Sequence, residues 1–139
     1  MAFKLSTELV FPWPVKVREP DQDNPGKLVE HTFTGVFAII EPEKAKARDD
    51  ERRLIVDRFM ADAENKDSKS LAEELTDHDL KAVKEVFRGW RDDLLGPDDK
   101  PWPATEANIE YAFSIERIKA AVIRAYREAI SEDQARLGN

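Results

Sequence analysis

Three prolines within residues 9–20 constrain the N-terminal fold more than any other feature of the sequence. A helix interior tolerates none of them, because proline lacks the backbone N–H and clashes with the preceding turn. Valine and basic residues alternate over 15–18, which is the period of a strand with one buried face. Residues 9–20 are therefore predicted to form an edge strand that contains Pro12, Pro14 and Pro20.

A second strand is predicted to follow, making a β-hairpin with a long loop. Residues 21–26 read Asp-Gln-Asp-Asn-Pro-Gly, which is typical turn chemistry. Residues 28–40 are rich in β-branched and aromatic side chains, as strands are. Phe33 and Phe37 share one face of this strand, and Gly35 between them favours a bulge or a close backbone approach.

The composition changes to that of helices from Glu43 onward. Residues 43–63 are predicted to form the first helix, with Pro42 ending the strand before it. Residues 64–70 lack apolar side chains and are predicted to be an exposed connection, followed by a short helical turn over 71–75.

The strongest helical periodicity lies over residues 77–95. Apolar side chains recur there at spacings of three and four, which gives one stripe along a helix. Thr76 or Asp77 would cap this helix by accepting a hydrogen bond from an unpaired backbone N–H. The stripe consists of Leu80, Val83, Val86, Phe87, Trp90 and Leu94.

Two more helices are predicted after a break at Gly96-Pro97. Residues 97–103 would form a stiff, extended loop, since three of the seven are prolines. Thr105 would cap a short helix to about Phe113, and Ser114 would cap the last helix. The apolar face of that last helix is predicted to contain Ile115, Ile118, Ala121, Val122, Ala125, Tyr126 and Ile130.

Together these elements predict a single α+β domain over residues 1–139. An N-terminal β-hairpin region (1–42) would precede a bundle of three to five helices (43–131), and 132–139 would be a frayed polar tail. The length of 139 residues suffices for one modest core.

Charge and composition exclude several classes of function. The net charge of −7 disfavours binding to a phosphate backbone, so no nucleic-acid partner is expected. The chain has no cysteine and therefore no disulfide or thiolate chemistry. Neither a secretory signal nor a membrane-spanning segment is recognisable, which predicts a cytoplasmic protein without a membrane partner.

No constellation of residues indicates catalysis, a metal site or a cofactor. The two histidines, His31 and His78, lack a second ligand at metal-binding spacing. The carboxylates at 92, 93, 98 and 99 do not follow the ligand order of a calcium loop. We therefore expect a protein that binds partners rather than an enzyme.

Trp13 and Trp102 are each flanked by prolines on both sides. Proline stiffens the segment, so little entropy is lost when the tryptophan is held in place. Two interpretations stay open: Trp102 covers the helix end near Trp90 as a local lid, or it faces a partner as an anchor.

Residues 87–130 carry a pattern that is longer than any single motif. It comprises Phe-Arg-Gly-Trp-Arg-Asp-Asp-Leu at 87–94, Pro-Trp-Pro-Ala-Thr-Glu-Ala-Asn at 101–108, and a terminal helix that contains Ala125-Tyr126. In this pattern the chain resembles the tail assembly chaperones of long-tailed bacteriophages. The Phe-rich second strand fits the same family, whereas Gly96-Pro97 departs from its usual Asp-Gly turn.

The resemblance implies a chaperone of the host cytoplasm that has no enzymatic activity. Such proteins coat the tape measure protein before the major tail protein polymerises around it, and they are absent from the mature virion. Self-association is expected, since one domain covers only part of a long client. Five residues are predicted to contribute to a binding or packing surface: Phe87, Trp90, Leu94, Trp102 and Trp13.

The resemblance also implies that a ribosomal frameshift could produce a longer form of the protein. Many family members end their short form at a slippery site, and Leu137-Gly138-Asn139 is compatible with the codons CTG-GGA-AAC, which contain one. The alternative function is a structural tail or connector component retained in the virion, which could form a ring by edge-strand pairing through the proline-rich hairpin.

Overall fold

The N-terminal region is an antiparallel β-hairpin, as the prolines and turn residues predict. The computed structural model describes residues 9–61 and 68–137. Strand β1 spans Val10–Pro20 and strand β2 spans Leu28–Ala38. Their register is unbroken along both strands, so the predicted hairpin with a long loop is confirmed.

The hairpin loop is organised by the carboxylate of Asp21. It accepts hydrogen bonds from Asn24 Nδ2 at 2.8 Å and from the Asp23 N–H at 2.9 Å. These two bonds hold the pKa of Asp21 below its usual value. Gly26 closes the loop with a φ of +81°, a conformation that glycine adopts at little cost.

The three prolines of β1 all lie at positions whose backbone faces away from β2. The Leu9 carbonyl accepts the Ile39 N–H at 2.9 Å, so in this register the odd-numbered residues of β1 bond to β2. Pro12, Pro14 and Pro20 are even-numbered and cost no ladder hydrogen bond. The predicted edge strand is therefore confirmed.

The helix predicted over 77–95 is wrong at both ends. Helix α2 spans Ser68–Val86, and residues Phe87–Trp90 form strand β3. Strand β3 pairs antiparallel with β2 and completes a sheet of order β1-β2-β3. Thr76 and Asp77 lie inside α2, so neither caps a helix, and the turn predicted over 71–75 is part of the same helix.

Gly89 in β3 has a backbone conformation that a continued helix does not allow. Its φ of +119° lies outside the helical region. The register of β3 shifts between Val36 and Phe37 of β2, so two residues of β3 oppose one of β2. The extra residue lies in β3 and not at Gly35 of β2, where a bulge was one of the two expectations, and it places Phe87 and Trp90 on one face three residues apart. A strand with a bulge thus imitates helical spacing.

Helix α1 spans Pro42–Ala61. Pro42 is its first residue, a position where the missing N–H would be unpaired anyway. The predicted end of this helix at 63 and most of the predicted connection over 64–70 lie outside the described residues. The end of that connection, from Ser68, is helical.

Two further helices complete the described chain: α3 spans Glu106–Phe113 and α4 spans Glu116–Leu137. Thr105 caps α3 as predicted, since its hydroxyl accepts the Asn108 N–H at 3.1 Å. Ser114 ends α3 instead of starting α4, because its hydroxyl donates to the Tyr111 carbonyl. Backbone helix continues to Leu137, where a frayed tail was expected; the last two residues lie outside the described chain.

The chain divides into two units, of which the second is residues Ile40–Val86. In it α1 packs against α2, yet α1 has no buried residue. Three ion pairs between described residues cross between the two helices: Arg48 with Glu85, Arg52 with Asp79, and Arg58 with Glu74. His78 Nε2 also lies 3.3 Å from a carboxylate oxygen of Glu51.

The first unit joins residues 9–39 with residues 87–137. Helix α4 lies on β1, where Arg117 pairs with Glu19 at 2.9 Å and Arg124 donates to the Lys16 carbonyl at 2.6 Å. Rings from the sheet meet rings from the helices, with Phe37 stacked on Tyr126 at 6.1 Å. Its buried residues include Val15, Phe33, Phe37, Phe87, Trp90, Phe113, Val122 and Tyr126. The architecture is thus α+β, as predicted.

Candidate functional site

The structure brings three of the five predicted partner-binding residues into one aromatic cluster. Phe87 and Trp90 lie on β3 with ring centroids 6.2 Å apart, and Trp102 stacks on Trp90. Leu94 lies in the following loop, half-buried, and its carbonyl accepts the Trp102 N–H at 2.8 Å. Trp13 lies apart from this cluster, on β1 opposite Gly35.

Phe87 and Trp90 are packing residues. They are only 5% and 8% exposed, and Phe87 contacts Phe37 and Phe113 at 5.3 Å and 5.5 Å between ring centroids. A pocket between these rings and α4 leaves no room for a water molecule. Both side chains are buried in the first unit, and Trp90 lies directly under Trp102.

Trp102 is held against Trp90 by two interactions. The indole rings stack with centroids 4.9 Å apart and planes 16° from parallel. The Trp90 Nε1–H also donates to the Trp102 carbonyl at 2.6 Å, which satisfies a polar group that burial would otherwise make costly. Trp102 therefore covers Trp90, as expected if it acts as a local lid.

The loop that carries Trp102 is a tight turn, which corrects the prediction of a stiff, extended segment. Leu95 and Pro101 form an isolated antiparallel bridge, and the Gly96 N–H donates to the Lys100 carbonyl at 2.9 Å. Asp99 adopts a left-handed φ of +61° at the tip. Proline stiffness alone did not reveal this reversal, because it depends on backbone hydrogen bonds between residues 94 and 102.

Tyr111 belongs to the site and was missed by the sequence reasoning. Its ring meets Trp102 edge-on, with centroids 6.1 Å apart at 84°, and the residue is 61% exposed. We call this pair the Trp102–Tyr111 surface. No local signal identified it, because the buried side of α3, which contains Ala112 and Phe113, is set by tertiary packing.

Helix α3 fixes the position of Tyr111 relative to Trp102. Thr105 caps its first turn, and Asn108 Nδ2 donates to the Pro103 carbonyl at 2.7 Å. The helix is therefore tied to the residue directly after Trp102. Two rings on separate elements are held at a fixed angle, which lowers the entropy lost when a partner packs against them.

The segments that carry Trp102 and Tyr111 are acidic. The turn before Trp102 and helix α3 carry four exposed acidic residues against one exposed lysine, namely Asp98, Asp99, Glu106 and Glu110 against Lys100. Aromatic side chains on acidic segments suit a partner that combines apolar side chains with positive charge.

Asp93 closes the sheet at the start of this loop. Its carboxylate accepts the Thr34 N–H at 3.0 Å and the Thr34 hydroxyl at 2.7 Å. Partial burial opposes ionisation, but the hydrogen bonds from Thr34 outweigh it and hold the pKa of Asp93 below its usual value. The ionised carboxylate thus replaces a further strand partner at Thr34.

The two histidines and Trp13 do not lie together in one site in the described part of the chain. Among the described residues, no group of three His, Asp or Glu side chains could hold a metal ion. His31 lies exposed on β2 and His78 lies inside α2, where its Nε2 is 3.3 Å from Glu51. Trp13 is half-buried, and its Nε1 has no hydrogen-bond partner in the described part of the chain.

Comparison of the chain with protein-family models, with curated proteins and with solved structures finds no match. Within residues 9–61 and 68–137, none of the helices is both long and apolar enough to cross a bilayer.

Proposed function

We propose that this chain is a non-catalytic tail assembly chaperone of a long-tailed bacteriophage. In this role it binds the tape measure protein in the host cytoplasm until the major tail protein assembles, and it leaves before the particle is finished. The resemblance over residues 87–130 supplies this role. The Trp102–Tyr111 surface supports it, because a half-buried tryptophan that holds an exposed tyrosine in a fixed position is suited to bind apolar segments of a client.

The observation that carries the proposal is the position of Tyr111. It is largely exposed, yet its ring is fixed edge-on against Trp102, which is itself stacked on the buried Trp90. Large aromatic side chains in such positions contribute most to binding energy at interfaces. The net charge of −7 keeps the chain soluble while no client is bound.

The rival function, a structural component that forms rings through the proline-rich hairpin, has less support. Pro12, Pro14 and Pro20 remove outward N–H donors from β1, and the Lys16 carbonyl is occupied by Arg124. Pairing of another strand along this edge would lose a hydrogen bond at each of these four residues.

The test is binding of the purified chain to the tape measure protein of the same phage, measured by isothermal titration calorimetry. Tyr111→Ala is expected to weaken binding at least about tenfold, as loss of an interface anchor does. Leu54→Ala is the matched control, since Leu54 on α1 is also 61% exposed but lies in the other unit. Equal affinity of Tyr111→Ala and the wild-type chain would refute the proposal.

A second measurement separates the proposal from its rival. Mass spectrometry of purified phage particles is expected to detect the tape measure protein and the major tail protein without this chain. Stoichiometric recovery of the chain from particles would establish a structural component instead.

A further inference from the structure

Parts of the edge of the sheet are closed to other strands. The β1 edge lacks donors at its three prolines. On the other side, β3 covers residues 35–37 of β2. Directly beyond β3, the Arg91 N–H donates to the Thr34 carbonyl and Asp93 accepts the Thr34 N–H, both at 3.0 Å.

A continuous stretch of edge stays open at the start of β2. The odd-numbered residues of β2 bond to β1, so the N–H and C=O groups of Leu28, Glu30 and Thr32 face the other way. None of these six groups has a backbone partner within the described chain. No proline interrupts the stretch, in contrast to the β1 edge. An open edge of this kind accepts an extended backbone and not a helix, whose own N–H groups are already bonded.

The side chains along this stretch define the occupant. Leu28 is 70% exposed and offers an apolar contact. Glu30 shares its face and lies 3.6 Å from Arg18, with almost half of its side chain exposed. A second copy that paired antiparallel about Glu30 would set two Glu30 carboxylates opposite each other, and like charges in that position destabilise a sheet.

We propose that the edge formed by Leu28, Glu30 and Thr32 binds an extended segment of a partner protein by strand addition. The incoming strand runs antiparallel to β2, in line with β3, and carries a lysine or arginine opposite Glu30 and an apolar side chain opposite Leu28. This site is independent of the Trp102–Tyr111 surface, so either can fail without the other.

The test uses the full-length chain labelled with ¹⁵N and the capped peptide Ac-Ser-Thr-Val-Lys-Val-Leu-Ser-NH₂, which sets Lys opposite Glu30. At millimolar peptide we expect slower amide exchange at Leu28, Glu30 and Thr32, whereas Val29 and His31 change little because they already bond to β1. The same peptide with Glu in place of Lys is expected to bind about fivefold more weakly.

Thr32→Pro removes an outward N–H of β2, just as the three prolines of β1 remove outward N–H groups there. It is expected to abolish the protection, while Thr32→Ala retains it. Should Thr32→Pro not fold, a peptide N-methylated only at the amides that face β2 gives the same discrimination on the wild-type chain. Absence of slowed exchange at the three amides, or binding that survives both blocks, would overturn the proposal. Protection that rises with protein concentration without peptide would identify a second copy as the occupant and would overturn it as well.

Discussion

The Trp90 indole N–H donates to the carbonyl of Trp102 at 2.6 Å, and the same two residues stack with ring centroids 4.9 Å apart. Trp90 is buried and Trp102 is half-buried. Trp90 therefore belongs to the core, and Trp102 covers it. Trp102 also contacts Tyr111, so the exposed tyrosine is fixed relative to the core.

Removal of the outer ring is expected to expose the inner one. Trp102→Ala should lower the free energy of unfolding by about 2 kcal/mol, because half of a large aromatic contact is lost. The fluorescence of Trp90 should shift to the red as water reaches its ring. Chemical denaturation and emission spectra measure both effects. Unchanged stability and emission would mean that Trp102 does not cover Trp90 in solution.

Gly89 should tolerate substitution less well than Gly26. It has a φ of +119°, and an added Cβ would lie 2.7 Å from the Ala104 Cβ. Gly89→Ala is therefore expected to cost about 3 kcal/mol, from strain and overpacking together.

Gly26→Ala serves as the matched control for Gly89. Its φ is +81°, but nothing lies within 4 Å of an added Cβ, so the cost should be about 1 kcal/mol, from backbone strain alone. Thermal melts of both variants make the comparison. Equal losses would contradict the tight approach of Ala104 to β3.

Asp93 should make the fold sensitive to acid. Its pKa lies below the ordinary value of 3.8 because of the hydrogen bonds from Thr34. Its stabilising contribution is therefore present above that value and is lost as the pH falls through the folded-state pKa. The wild-type chain should exceed Asp93→Asn in stability near neutral pH, and the difference should shrink below 3.8.

Denaturant titrations of both proteins from about pH 6 to about pH 2 measure that difference. Asp21, whose pKa is also lowered, titrates in both proteins and cancels. A difference that stays constant over this range would show that the Asp93 carboxylate is not bound to Thr34.

The ion pairs between α1 and α2 should differ in strength. The Arg48 side chain is 15% exposed and bonds both Glu85 and the Ala82 carbonyl, so Arg48→Ala should cost about 1.5 kcal/mol. Arg58 pairs with Glu74 in an exposed position, and Arg58→Ala should cost about 0.5 kcal/mol or less. Amide exchange of α1 measures the local effect. Equal changes would indicate that burial of Arg48 adds nothing.

Local patterns predicted much of the secondary structure. Prolines at alternate positions and a turn sequence gave the hairpin, and Thr105 marked the start of α3. These features act over a few residues, through a missing N–H, a fixed φ or one hydroxyl that accepts a nearby N–H. These effects depend only on residues within the same segment, so they can be recognised without knowledge of the tertiary structure.

The candidate site was only partly predictable, for a physical reason. Trp90 and Trp102 were singled out from the sequence, but their stacking depends on a turn closed by hydrogen bonds between residues 94 and 102. Tyr111 was missed because its exposure and its contact with Trp102 depend on how α3 is placed.

The sequence by itself determined the β-hairpin, its edge strand, the α+β class and the net charge of −7. Only the tertiary structure decided that Phe87–Trp90 is a strand, since the spacing of its aromatics fits a helix and a bulged strand equally well. Pairing with β2 and the positive φ of Gly89 resolved that ambiguity. Contacts between residues distant in the chain override local preference wherever two conformations place the same side chains on one face.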